Sequence, residues 1–278
     1  MKSLAESDLL QTCVQRMQTQ LNDQAEDDLR FWWNQERESA APLSAIFLSK
    51  AVDEWEQTVS EHPAHRHVWY DQLAHDVTVQ EFATFFLENW PLPAFLSLVE
   101  RTLQSQICEE GRAAVLRNIE DEQKPTPHVE LMRRLIVALK AKAGDGLPLE
   151  LYPSLIDRIL VFYYGYYCDP WHLVGSLYAT EVMAHHRMEK MNTGLKRLGF
   201  EGTDLEFIEL HMVCDEDHAR DWSEGVIASS LRLNPTLRAP IVEGIASCLD
   251  TSVHYLDDLS RRATDPHSDN GVKLPEPT

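Results

Sequence analysis

The stretch Glu209-Leu210-His211-Met212-Val213-Cys214-Asp215-Glu216-Asp217-His218 places two histidines and several acids within ten residues. On an α-helix each residue advances about 100°, so His211, Asp215 and His218 fall within about 60° of one another, on one face. Glu216 and Asp217 point elsewhere and can stay in water. Two neutral imidazole nitrogens and an ionised carboxylate oxygen are donors suited to iron, manganese or zinc. Alone, the pattern is equally a solvated acidic face with uncommitted histidines, because a metal needs further ligands from other helices.

Two other segments offer them. Glu181 lies in GSLYATEVMAHHR, a stretch otherwise able to pack, where an isolated carboxylate is costly to bury unless paired, protonated or bound to metal. Its bland reading is a surface acid with His185 as hydrogen-bond partner, and the adjacent His186 and Arg187 read as more exposed, with reach to a substrate. Glu122 and His128 straddle the proline-bearing turn of VLRNIEDEQKPTPHVELMRR, with Glu120 and Asp121 competing for the same role. If the three segments converge, Glu122, Glu181 and Asp215 supply carboxylates and His128, His211 and His218 supply imidazoles. Such an inventory suits two iron ions, with carboxylates able to bridge them and positions left open to dioxygen.

Helices must position these groups. Apolar residues at Leu43, Ile46, Phe47, Val52 and Trp55 follow helical spacing. Thr78-Val79-Gln80-Glu81 reads as a capping box opening a helix that ends near Trp90-Pro91. Helices are expected from Ala94 toward Glu110, from about Arg112 to Glu122, and from His128 onward after Pro125 and Pro127. Others are expected from Leu151 to Gly165 and from Trp171 to Leu198, the latter stopped by Gly199. Thr203-Asp204-Leu205-Glu206 reads as a second capping box opening the HxxxDxxH helix, and Asn234-Pro235 as the cap and first residue of a final helix toward Leu259. The run from Phe162 to Tyr167 either packs as an aromatic cluster or lines an access path.

The predicted architecture is an all-α, single-domain helical bundle. Residues 1–42 form an N-terminal helical extension anchored through Phe31-Trp32-Trp33, residues 43–262 the main domain, and residues 263–278 a flexible tail. Gly-rich phosphate loops and strand-like alternation are absent, which argues against a nucleotide-binding sheet domain. With 45 acids against 25 Lys plus Arg, the formal charge of −20 makes nucleic acid and anionic membranes poor partners. The five cysteines show no CxxC spacing, and no apolar run approaches the roughly 18 residues of a membrane span. A cytoplasmic protein with reduced cysteines is expected.

The chain resembles the haem-oxygenase-like diiron oxidase and oxygenase family, whose fold also occurs in the TenA and PqqC groups. The resemblance covers most of residues 43–262. It rests on Asn118, Glu122 and His128 early, on the GxxYxxE-like Gly175 to Glu181, and on His211, Asp215 and His218 late. It implies two iron ions, Fe(II)/Fe(III), with dioxygen as cosubstrate. Glu122, His128 and His218 would lie around one iron, and Glu181, His211 and Asp215 around the other or in bridging positions. The family allows a further carboxylate ligand, for which Glu88 and Glu109 are candidates only in this chain. The implied activity is oxidation, N-oxygenation, desaturation or oxidative cleavage of a small amino-acid-like metabolite, with an external electron donor and a homodimer both compatible with the family. The competing readings are a metal-free TenA- or PqqC-like enzyme and a nonenzymatic helical interaction or iron-storage protein.

Overall fold

The computed structural model describes residues 25–89, 95–105, 107–144, 150–151, 153–264 and 272–273. Helix α1 (Ala25–Ser49) leads through a short 3-10 turn, Val52–Glu54, into α2 (Trp55–Glu61), α3 (Val68–His75) and α4 (Val79–Asn89). Then come α5 (Phe95–Thr102), α6 (Glu109–Glu122), α7 (His128–Ala143), α8 (Pro153–Tyr167) and the 28-residue α9 (Pro170–Arg197). The last part holds α10 (Glu206–Arg220), a π-helical segment Asp221–Ala228, α11 (Ser229–Leu233) and α12 (Arg238–Thr264). Two two-residue strands, β1 (Glu150–Leu151) and β2 (Val272–Lys273), pair antiparallel with Glu150 opposite Lys273. The fold is therefore an all-α bundle; helix α1 runs unbroken past residue 42, with Pro42 inside it.

Local chemistry explains several helix starts. Thr78 Oγ1 accepts from the Glu81 amide at 3.3 Å and Glu81 Oε2 accepts from the Thr78 amide at 2.6 Å, which completes the expected capping box. Asp169 caps α9 by accepting from the amides of Trp171 and His172, and Pro170 takes the first helical position. The capping box expected at Thr203 does not form: Gly202–Asp204 makes a 3-10 turn and α10 starts at Glu206 without a side-chain cap. Asn234 does cap, its Oδ1 accepting from the Thr236 amide, but it opens a 3-10 turn before α12.

The helix expected from Ala94 toward Glu110 is split instead, α5 ending at Thr102 and α6 opening at Glu109. The N-terminal helix docks differently from expectation too. Phe31 is 69% exposed, whereas Trp33 stacks on Tyr164 with ring centroids 4.9 Å apart and meets the edge of His172 at 4.6 Å. Trp32 Nε1 donates to Asp157 at 2.9 Å. The Phe162–Tyr167 run packs: Phe162 and Tyr164 are buried and Tyr163 stacks on Tyr167.

Two close helix contacts set the site. A Cβ on Gly175 of α9 would lie 1.9 Å from the Ile241 carbonyl oxygen, and one on Gly244 of α12 would lie 2.0 Å from that of His172. The α9 and α12 backbones therefore touch, and only glycine leaves room. On the other side, a Cβ on Gly225 of the π segment would lie 2.5 Å from the Ala114 side chain of α6. Arg117 on α6 clamps Asp221 through two hydrogen bonds, so α6 runs antiparallel to α10 and its continuation. That pairing carries Glu122, the last residue of α6, alongside α10.

Candidate metal centre and its cavity

Glu122, His128 and His211 come from the end of α6, the start of α7 and the middle of α10, and one ligand atom of each lies within 4.8 Å of the others. His128 Nδ1 sits 3.1 Å from Glu122 Oε2, and the His128 and His211 rings are 4.8 Å apart. The His211 Nδ1 lies 2.7 Å from the Phe207 carbonyl oxygen. That carbonyl can only accept, so Nδ1 carries the proton and Nε2 keeps a lone pair for a ligand.

His218, two turns further along α10, is buried, with Nδ1 3.9 Å from Glu181 Oε2 and Nε2 3.7 Å from Asp121 Oδ2. The structure thus sets His211 beside Glu122 and His128, and His218 close to Glu181 while still feeling the charge of Glu122. The reason is the turn at 123–127, which brings α7 back beside the first half of α10 while α6 lies beside the second. Asp215 lies on the same helix, but its side chain is outside the described residues.

The competing acids are placed apart. The Glu120 side chain is 61% exposed and pairs with Lys124, while that of Glu122 is 12% exposed. Glu109 is exposed at the start of α6. Glu88 is buried but engaged, accepting from Tyr255 Oη at 2.8 Å and from Arg262 at 3.0 and 3.2 Å. His185, expected beside Glu181, instead lies 3.7 Å from Glu189 and 4.0 Å from Glu216. Glu216 and Asp217 are exposed, as the helical angles require.

Electrostatics favours metal-ready protonation states. Burial tends to raise the Glu122 carboxyl, but contact with His128 and the charges of His128, His211 and His218 outweigh it and hold Glu122 below the usual range. Burial pushes His211 down to about 4, the Glu122 charge opposing, and lowers His218 likewise. Glu122 is therefore an ionised carboxylate and His211 and His218 neutral imidazoles at neutral pH, the forms that bind metal. His128 Nε2 and both ring nitrogens of His218 are buried without a hydrogen-bond partner. Such groups cost roughly 1–3 kcal/mol each when left alone. A metal ion is what this donor set would satisfy, and the residues fit iron.

The cluster opens on a cavity of about 150 Å³. Phe85, Phe86, Met132, Met183, Met188 and Leu256 supply its apolar wall, and Glu122, His128, Glu181 and His211 its metal-facing side. Arg158 from α8 and Arg187 from α9 line it as well. Tyr178 is buried but does not belong to this lining.

A model of the family described as iron-containing redox enzymes matches residues 89–253, which is more than half of the chain and spans all six proposed ligands. The chain belongs to the iron-containing redox enzyme family. Its fold is also that of a domain of unknown function with a heme oxygenase-like fold from Shewanella denitrificans OS217. That likeness has a TM-score of 0.53 and 13% identity, covering 80% of this chain and 94% of that one. No curated protein matches the chain. Membership gives the Glu122, His128 and His211 cluster its meaning as a potential iron-binding site in a redox protein. Among the described residues, no helix is long and apolar enough to cross a membrane.

Arg158 and Asn89 escaped the sequence reading. Arg158 follows the helical apolar stripe of Leu155, Ile159 and Phe162, and a lone arginine on such a stripe is the signal that was there to find.

Proposed function

We propose that the protein is a non-haem diiron oxidase or monooxygenase that activates dioxygen to oxidise a small amino-acid-like metabolite. Glu122, His128, Glu181, His211, Asp215 and His218 would hold the two ions. The reading rests above all on one observation: Glu122, His128 and His211 converge within 4.8 Å beside an apolar cavity. When bound, ferrous iron would supply the electrons and the Lewis acidity for dioxygen chemistry, with an external electron donor restoring it.

The chain's own residues do the rest. Phe207 fixes the His211 tautomer through its carbonyl, so Nε2 faces the cluster. Phe85, Phe86 and the methionines exclude water and hold an organic body against the metal-facing wall. That wall of aromatic and thioether groups suits an organic substrate better than an iron-storage core.

The test is anaerobic addition of ferrous iron to the full chain, followed by oxygen exposure with candidate amino acids and product analysis. Iron-dependent, substrate-dependent oxygen consumption is expected. Full turnover after rigorous iron removal would favour a metal-free enzyme, and iron loading far beyond two ions per chain without product would favour storage.

A further inference from the structure

The cavity holds a charge arrangement that the iron reading does not use. Arg158 is buried on α8, with Nη1 donating to Asn89 Oδ1 at 2.7 Å and its guanidinium 5.2 Å from the centre of the Tyr255 ring. Arg187 lines the same cavity one and a half turns beyond Glu181 on α9. Among the described residues, neither guanidinium forms an ion pair with a carboxylate. The protein carries 45 acids and a net charge of −20, so an acid partner would be easy to supply. Instead, among the described residues, the carboxylates lining the cavity are Glu122 and Glu181, on the metal-facing side.

A fixed polar chain holds Arg158 in place. Glu88, neutralised by Arg262, accepts from Tyr255 Oη; Tyr255 Oη accepts from Asn89 Nδ2 at 3.1 Å; Asn89 Oδ1 accepts from Arg158. Asn89 is anchored again by donating to the Phe85 carbonyl at 2.7 Å. The chain offers Arg158 a neutral amide where a carboxylate would have quenched its charge. A buried guanidinium without a counterion is costly, and an incoming anion relieves that cost.

We infer that Arg158 and Arg187 form the anion subsite of this cavity, and that the substrate is an apolar body bearing one carboxylate, gripped at the end away from the metal cluster. Arg158 and Arg187 are then specificity-determining residues, and Asn89 is a positioning residue for Arg158. The inference rests on reading this cavity as the substrate chamber of the proposed oxidase. It sharpens that reading: of the two charged groups on an amino-acid-like metabolite, the carboxylate is the one the wall reads.

Binding calorimetry on the full chain, as purified and after ferrous loading, tests it with 3-phenylpropanoate, its neutral amide and inorganic phosphate. The carboxylate should bind about tenfold to a hundredfold tighter than the amide, the scale of hydrogen bonds to charged groups. Arg158→Gln and Arg187→Gln should each lower carboxylate affinity and leave amide affinity in place. Asn89→Asp, which hands Arg158 an internal counterion, should abolish the preference while amide binding reports an intact cavity. Equal affinities in the unaltered protein would overturn the inference. So would a preference that survives both arginine substitutions, since the carboxylate would then sit on the metal, or phosphate displacing 3-phenylpropanoate at lower concentration. A carboxylate preference in a chain that retains no iron would sink the oxidase reading alone; retained iron with no preference would sink the subsite alone.

Discussion

The same molecule buries carboxylates in two opposite ways. At Glu88 every oxygen has a matched donor, from Tyr255 and the two Arg262 nitrogens, and the charge is neutralised on the spot. At Glu122 the neighbours are imidazoles, and the buried Nε2 of His128 and both ring nitrogens of His218 lack hydrogen-bond partners. The closed cluster is complete as it stands and serves the packing of α4 against α12. The open one leaves buried donor atoms that a metal ion would satisfy. Burial of an acid is therefore not itself a functional signal; the chemistry of what surrounds it is.

Removing members of each cluster should break this contrast in different observables. Substituting His211→Ala should cost the largest effect, at least about a hundredfold in iron affinity, beyond the 10- to 100-fold typical of losing a group that merely orients a ligand. Helical content measured by circular dichroism should stay, and metal analysis reads the loss. Replacing Glu88→Ala should do the reverse. It strands Arg262 and the Tyr255 hydroxyl, at a cost of about 3 kcal/mol in urea unfolding, with iron stoichiometry unchanged.

A smaller effect separates the clusters by pH. His211 titrates at about 4 in the folded chain against an ordinary 6.5, so as pH falls the unfolded chain takes up the proton first. Metal-free protein should lose the stability this group contributes between about pH 6.5 and about 4. Thermal melting in that window should fall less steeply in His211→Gln, and an identical slope would deny the buried neutral imidazole. Least of all, Glu120→Gln should change neither iron content nor fold, since Glu120 is solvated beside Lys124. Loss of iron in that variant would move the ligand from Glu122 to its neighbour.

How much of this was legible in the sequence depends on the range of the forces involved. The capping box at Thr78 and the Asp169-Pro170 start of α9 are decided within four residues, and Gly199 adopts the positive φ of 79° that stops that helix. The capping box at Thr203 failed because Thr203 lies inside the 3-10 turn Gly202–Asp204, so the helix opens only at Glu206, after Leu205. The π segment after α10 was unreadable, since it depends on how α6 presses Ala114 against Gly225.

Within the site, helical angles identified the face holding His211 and His218 but not which histidine meets which carboxylate. That pairing is fixed by the turn between Glu122 and His128, where periodicity is interrupted. Arg187 is legible as a near neighbour of Glu181, whereas Arg158 is hidden because its segment reads as core. Its role depends on Asn89, 69 residues earlier in the chain.

Glu122, His128 and His211, with Glu181 and His218 beside them, differ from a packed polar cluster in one property, the ability to hold iron. Anaerobic ferrous titration of the full chain, with iron per chain read by elemental analysis and Mössbauer spectroscopy, tests it most directly. Two ferrous ions per chain are expected, with occupancy falling in both Glu122→Gln and His211→Ala and unchanged in Glu120→Gln. A chain that retains no iron, or one whose stoichiometry is the same in all three variants, would contradict it.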